Sequence, residues 1–273
     1  MKTILVPVDY SVNSIHALNY ASILNDYFKA EIILFHAILV PVYSAEVPLA
    51  APSNDTLINE ATEKLSSMCK EFEGRYPGIS YKASVSLGTP TDEILSAETT
   101  NKADMIIMGT KGASGLREIF LGSNAAAVAE DSTIPVITVP ENSDIRVPQK
   151  VVFATNYGDN DFSSIGAVID FVRSFQAGIT LVHVTPEKEI RDFEYAEIET
   201  LAERMRQENE YPHLKFKLLS GHDPYEELNT YLKSSNADML ALSMREKRSW
   251  LFSRSLSKKM VYHSDIPLMI FHT

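Results

Sequence analysis

The sequence predicts two doubly wound α/β domains, each with a five-stranded parallel sheet, packed against each other as a pseudo-dimer. Short apolar runs that suit buried strands alternate with apolar stripes at helical spacing. The same order of elements returns in the second half of the chain, and a βαβ order requires parallel strands with right-handed crossovers. A length of 273 residues suits two domains that each bury a core.

In the first copy, a strand is predicted within residues 1–8. The apolar runs 32–35 and 105–108 predict two more strands, buried on both faces. Residues 15–28 and 57–72 each carry one apolar stripe, which predicts a helix. The stripes consist of Ile15, Leu18, Ala21, Leu24 and Phe28, and of Leu57, Ala61, Leu65, Met68 and Phe72.

Other strands are predicted at the edges of the sheets. Apolar and polar residues alternate over residues 79–87 and again over 214–218. Such alternation indicates a strand with one exposed face, which we expect at a sheet edge. Each copy closes with an Ile-Pro strand, over residues 134–139 and 266–271. The two closing strands are expected to meet inside one chain, because an uncovered apolar edge invites pairing.

The chain contains a duplication. His36 lies opposite His183 at an offset of 147 residues, and Asp104 lies opposite Asp238 at an offset of 134. Two copies are too few for a solenoid, so a duplicated domain is predicted. The predicted domains span residues 1–141 and 149–273, joined by a polar linker that ends at Pro148.

A glycine pattern follows the predicted strand 105–108. Gly109, Gly112, Gly122 and Ser123 have the spacing Gly-x2-Gly-x9-Gly-Ser, and the alanine-rich segment 124–129 comes next. A strand, a glycine loop and a helix start together favour phosphate binding, because the backbone N–H groups face the anion. The alternative is structural, since glycines after a strand also form turns and an aspartate before serines caps a helix.

These motifs resemble those of a universal stress protein domain. Besides the glycines, the resemblance depends on Asp9 in the sequence Val-Pro-Val-Asp, on Ser11 and Ser14, and on His36 at the end of the second strand. The resemblance covers nearly the whole chain, once in each copy, and the duplication resembles the tandem form of that family. It implies an adenine-nucleotide-binding fold with strand order 3-2-1-4-5 in each domain. It further implies a regulatory role in stress. Because the sequence shows neither a signal peptide nor an apolar stretch of membrane-helix length, a soluble cytoplasmic protein is expected.

The resemblance implies a nucleotide site in the first copy. The ligand would be ATP, ADP or AMP, and a magnesium ion could accompany its phosphates. Asp9 would reach the ribose or that metal, and the backbone near Ala37 and Ile38 would read the adenine edge. The full set of residues implied is Pro7, Val8, Asp9, Ala37, Ile38, Gly109, Gly112, Gly122, Ser123 and Asn124.

The second copy departs from this pattern. Asn156 stands opposite Asp9, and Ser243 replaces Gly109. Glu246 replaces Gly112 and would repel a phosphate, while Arg254 takes the place of Gly122. No conventional ATP site is expected there. Six basic residues nearby could hold an anion or form a solvated helix face: Arg245, Lys247, Arg248, Arg254, Lys258 and Lys259.

The first copy also has an insertion of 13 residues within residues 39–52, since the offset between copies falls from 147 to 134. This apolar, proline-rich loop could cover the ligand, with Tyr43 stacked on a base, or it could pack on the partner domain. It could equally be surface packing.

Composition excludes several classes of protein. A net charge of -11 argues against a nucleic-acid partner, and no apolar stretch reaches the ~20 residues of a membrane helix. The single Cys69 excludes an internal disulfide. The histidines lack metal-ligand spacing, so neither a metal nor a catalytic site is assigned.

Three functions stay open. The first is a nucleotide-binding regulator without turnover, as a pseudo-dimer that could also form a homodimer. The second is a weak ATPase or another nucleotide-hydrolysing enzyme, although neither a P-loop motif nor a general base stands out. The third is an interaction module that binds no nucleotide.

Overall fold

The computed structural model of the protein describes residues 1–39, 53–110, 123–157, 159–185, 192–244 and 264–272. Within these residues the chain divides into two compact units. The first unit ends at Glu141 and the second begins at Asn142.

The first unit is a parallel sheet with the strand order β3-β2-β1-β4-β5. This is the order 3-2-1-4-5 expected from the family resemblance, which is therefore confirmed. Its elements are β1 (Thr3–Pro7), α1 (Val12–Phe28), β2 (Glu31–Ile38), α2 (Asn54–Arg75), β3 (Ser80–Leu87), α3 (Pro90–Thr100), β4 (Met105–Gly109), α4 (Ser123–Asp131) and β5 (Val136–Val139).

The second unit repeats this topology. Its sheet is parallel and has the order β8-β7-β6-β9-β10, which corresponds strand for strand to the first. Its elements are β6 (Lys150–Ala154), α5 (Asp159–Arg173), β7 (Gly178–Thr185), α6 (Asp192–Glu208), β8 (Leu214–Ser220), α7 (Pro224–Ser235), β9 (Met239–Met244) and β10 (Leu268–His272).

Burial follows the sequence pattern. The side chains of β1 from Ile4 to Val6 are wholly buried, whereas β3 and β8 contain exposed residues between buried ones. Each of the latter strands pairs with a single neighbour, β2 and β7 respectively. The expectation that alternation marks sheet edges is confirmed.

The duplicated aspartates tie strands together at the amino ends of the sheets. The Asp104 carboxylate accepts the backbone N–H groups of Lys2 at 2.5 Å and Thr3 at 2.9 Å. Asp238 accepts those of Gln149 and Lys150, both at 2.9 Å. Desolvation acts to raise the pKa of Asp104, but the two N–H groups and nearby positive charge outweigh it and lower the pKa. The repeat therefore has a structural role here.

The closing strands begin two residues later than predicted, at Val136 and Leu268. The reason is a turn found in both units. The hydroxyl of Ser132 accepts the N–H of Ile134 at 3.2 Å, and that of Ser264 accepts the N–H of Ile266 at 3.3 Å. These hydrogen bonds hold the isoleucines in a turn, so they do not join the ladder.

Cys69 lies on α2 in the first unit, and its thiol is buried. Burial, aided by the charge of Glu73, raises the pKa of this thiol to about 11. The thiolate form is therefore disfavoured in the folded protein.

Candidate functional site

A cleft opens at the carboxyl ends of β1, β2 and β4 in the first unit. This is where the strand order reverses, because β2 and β3 lie on one side of β1 and β4 and β5 lie on the other. Open α/β sheets bind ligands at such switch points. Its described lining is Pro7, Val8, Asp9, Ser14, Phe35, His36, Ala37, Pro90, Ile94, Met108, Gly109, Thr110, Ser123, Asn124 and Ala125.

The turn from β1 to α1 forms one wall. The Asp9 carboxylate accepts two hydrogen bonds from Ser11, from its N–H at 3.0 Å and from its hydroxyl at 2.6 Å. Ser11 is the N-cap of α1, and its hydroxyl oxygen accepts the N–H of Ser14 at 3.2 Å. The helix cap is therefore Ser11, and not Asp9 as the structural alternative would have it; Asp9 holds the capping residue in place and also lines the cleft.

The end of β2 forms the floor. The carbonyl of Phe35 accepts the N–H of Val8 at 2.7 Å, and the carbonyl of Ile38 accepts the N–H of Gly88 at 3.0 Å. Since successive residues of a strand face opposite neighbours, Ala37 faces the β1 side, beyond the end of that strand at Pro7. The ladder between β1 and β2 ends at the pair Pro7 and Phe35, and in the described part of the chain Ala37 makes no backbone hydrogen bond outside the strand ladders.

Ile38 does not line the cleft, although the sequence placed it beside Ala37 in the site. Its carbonyl is engaged by Gly88, on the β3 side of the sheet. The second unit makes the same bond, from the N–H of Gly221 to the carbonyl of Thr185 at 3.0 Å. The bond belongs to the scaffold that both units share.

Gly109 ends β4 on the opposite wall. A Cβ at this position would lie 2.8 Å from the backbone oxygen of Asn13, in the first turn of α1. Close packing of strand and helix therefore requires glycine here. Ser123 and Asn124 open α4 and also line the cleft, whereas Gly112 and Gly122 lie outside the described residues.

His36 closes the gap between β1 and β2. Its Nδ1 lies 2.6 Å from the Val8 carbonyl oxygen, and a carbonyl only accepts, so Nδ1 carries the proton. The centroid of the Tyr10 ring lies 4.8 Å from that of the imidazole ring. Lys64 Nζ lies 3.6 Å from the same Tyr10 centroid. Tyr10 has φ of +65°, which non-glycine residues adopt infrequently.

Sequence reasoning missed the apolar part of the lining. Phe35, Ile94 and Met108 lie on β2, α3 and β4, and their apolar character resembles that of core residues. Thr110 directly follows Gly109, and this position along the chain is the one signal that could have identified it, whereas Pro90, at the start of α3, stands near none of the motif residues.

The second unit keeps the scaffold of the site with other side chains. His183 Nδ1 donates to the Thr155 carbonyl at 2.9 Å, and the Tyr157 ring lies 4.3 Å from the imidazole. Tyr157 has φ of +62°. Val184, the counterpart of half-buried Ala37, is 1% exposed. The ladder position that opens into the first cleft is thus closed to solvent here.

A carboxylate has changed place between the units. Asn156 stands where the first unit has Asp9, and Asp161 stands where it has Ser14. Asp161 is 3% exposed and accepts hydrogen bonds from the Thr155 hydroxyl at 2.7 Å and the Asn156 N–H at 3.1 Å. Asp161 therefore stabilises the turn between β6 and α5 by hydrogen bonds to Thr155 and Asn156. Ser243 lies at the position of Gly109, and its counterparts of Gly112, Gly122 and Ser123 lie outside the described residues.

Burial lowers the pKa of His183, although the Thr155 carbonyl and the charges of Glu194, Glu197 and Asp161 act in the other direction. The same burial raises the pKa of Tyr157. The neutral forms of both side chains are favoured in the second unit.

Among the residues that the structure describes, there is no group of three or more His, Cys, Asp or Glu side chains that could hold a metal ion. Nor does any helix in that part of the chain have the length and apolar character needed to cross a membrane.

Fold and cleft together define a doubly wound α/β protein with a crevice at the switch point of its first sheet. The model of the universal stress protein family matches residues 1–140 of the 273. The chain belongs to that family.

Individual relatives agree with this assignment. Two universal stress proteins of Methanocaldococcus jannaschii are similar to half of the chain. One is 34% identical over 146 residues and matched over 81% of its length, and the other is 30% identical over 154 residues and matched over 94%. A solved universal stress protein from Archaeoglobus fulgidus has a TM-score of 0.75 at 23% identity, and covers 99% of this chain and 98% of its own. The likeness of fold thus extends over both units.

Proposed function

We propose that the first unit binds one adenine nucleotide and that the chain acts as a nucleotide-responsive regulator without turnover. The observation that carries this proposal is the open backbone of Ala37 on the floor of the cleft. One residue there offers an N–H donor and a carbonyl acceptor side by side. The Watson–Crick edge of adenine offers an acceptor nitrogen beside an amino donor, which is the matching pair.

The remaining walls fit the other parts of a nucleotide. Phe35, Ile94 and Met108 supply apolar surface for a base, as small-molecule sites usually do. The start of α4 at Ser123 and Asn124 lies at the same cleft, and helix N-termini favour anions such as phosphate. Asp9 stands at the turn where the ribose or a phosphate-bound magnesium ion would lie. With one carboxylate in the described lining, that ion would depend on the phosphates for most of its ligands.

Tandem organisation is part of the proposal. We take residues 1–141 and 149–273 as two universal stress protein domains, the second with a degenerate loop, arranged as a pseudo-dimer in the cytoplasm. Two features of the second unit support the expectation of one site per chain. Val184 is buried, and the Asp161 carboxylate is buried and accepts hydrogen bonds from Thr155 and Asn156.

Calorimetric titration with ATP, ADP and AMP tests the proposal. We expect saturation near one equivalent per chain. GTP is the matched control, because guanine presents the opposite donor and acceptor order and should bind at least about tenfold more weakly, about 1.4 kcal/mol. Equal affinity for ATP and GTP would refute base recognition by the Ala37 backbone. Two equal sites per chain would refute the expectation that the second unit binds no nucleotide.

A variant locates the phosphate end. Gly122→Arg copies Arg254 of the second copy and should weaken ATP binding by at least about tenfold, while adenosine binding changes little. Equal losses for both ligands would place the phosphates elsewhere. Phosphate release measured on the same samples separates a regulator from an ATPase, and failure of the wild-type protein to bind any nucleotide would leave an interaction module.

A further inference from the structure

We infer that His36 is a positioning residue that keeps the Ala37 N–H free for a ligand. The inference rests on the proposed function of the same cleft. It begins from the ladder between β1 and β2, in which the N–H of Val8 donates to the carbonyl of Phe35 at 2.7 Å. In a parallel ladder the next hydrogen bond would run from the N–H of Ala37 to the carbonyl of Val8.

That hydrogen bond is replaced by a side chain. The Val8 carbonyl accepts from His36 Nδ1 at 2.6 Å, and no backbone hydrogen bond joins Ala37 to Val8 among the described residues. A buried carbonyl without a donor is costly, and His36 meets this need without using the Ala37 amide. The ladder therefore ends one residue early, and the amide faces the cleft.

Packing fixes the imidazole in this role. The Tyr10 ring lies 4.8 Å from the His36 ring and approaches it at 51°. Tyr10 itself adopts φ of +65°, and directly after this turn the chain enters α1, which packs on β1, β4 and β5. The turn separates the two strands, and His36 spans the separation.

The second unit repeats the device and supplies the control. His183 donates to the Thr155 carbonyl at 2.9 Å beside Tyr157, in a unit where Val184 is closed to solvent. The hydrogen bond is thus a property of the scaffold. It has a consequence for binding in the first unit, where the released amide lies in an open cleft.

The test compares two polar substitutions of similar size. The amide nitrogen of asparagine reaches the position of Nδ1, whereas that of glutamine reaches the position of Nε2. H36N should therefore keep the hydrogen bond to Val8, and H36Q should lose it. In H36Q the Ala37 amide would donate to Val8 instead. We expect ATP affinity to fall at least tenfold in H36Q and to stay within threefold of the wild type in H36N and in the control H183Q.

Hydrogen exchange of the Ala37 amide, measured by NMR on the full chain without nucleotide, separates positioning from general damage. In H36Q this amide should become at least tenfold more protected, whereas the amide of Phe35 should not change. Unchanged protection of Ala37, or equal affinity losses in H36N and H36Q, would overturn the inference. Because exchange is measured without ligand, it also decides the inference if the wild type binds no nucleotide, which would refute the proposed function instead.

Discussion

Replacing Gly109 with alanine should destabilise the first unit by about 1–3 kcal/mol, the usual cost of overpacking. The new Cβ would lie 2.8 Å from the backbone oxygen of Asn13 and 2.9 Å from its carbonyl carbon. Favourable contacts between such atoms lie near 3.5–4.0 Å. Both atoms belong to the backbone of α1, so the strain is relieved by moving the helix and not by rotating a side chain. Ser14, on the same turn of α1, would move with it in the cleft wall.

Urea denaturation followed by circular dichroism measures the change in the free energy of unfolding. The control is G74A, because a Cβ on Gly74 in α2 meets nothing within 4 Å. This variant should gain up to about 1 kcal/mol from the lower flexibility of alanine. A G109A protein within about 0.5 kcal/mol of the wild type, the range of an ordinary surface change, would refute the claim that packing on Asn13 requires glycine.

Two further predictions concern buried polar groups. Burial lowers the pKa of folded His183 below its usual ~6.5, so at acid pH the unfolded state binds more protons than the folded state. The contribution of His183 to stability is therefore complete above pH ~6.5 and is lost as the pH falls below that value. H183N should lose less stability than the wild type in urea denaturation at successive pH values from about 7 to about 5, and parallel losses would contradict this account. Glu98 is 5% exposed and accepts the Ser132 hydroxyl at 2.8 Å and the Thr133 N–H at 3.0 Å, so E98L should cost about 1–3 kcal/mol. E98Q keeps an acceptor and should cost less, and equal stability of the two variants would count against these hydrogen bonds.

The sequence allowed much of the fold to be predicted because its signals are local. The apolar runs of β1 and β4 and the alternation in β3 report burial on two faces or on one, and they set the strand positions. The strand order came from the family resemblance. The starts of β5 and β10 were misjudged, because the turns at Ser132 and Ser264 depend on side-chain hydrogen bonds that periodicity does not reveal.

The candidate site was predictable where a motif carried it. Pro7, Val8 and Asp9 line the cleft with Ala37 and Gly109, as the family resemblance implied, together with Ser123 and Asn124. Ile38 does not, because the direction of its backbone depends on the register of β2 against β3, which a single sequence leaves open. For Gly109 the sequence suggested close approach of a phosphate, and the structure supplies a second reason in the contact with Asn13.

The buried thiol of Cys69 provides a measurement of how the two units cooperate. With a pKa of about 11, it reacts slowly with alkylating reagents at neutral pH until α2 detaches, so its labelling rate reports the opening free energy of the first unit. The single tryptophan, Trp250, belongs to the second copy, and its fluorescence can follow that half. The unmodified chain therefore carries a thiol whose labelling rate can be measured in one half and a tryptophan whose fluorescence can be measured in the other. If the halves unfold together, thiol labelling and fluorescence give the same free energy of unfolding. A difference between the two values measures the free energy by which one half opens more easily than the other.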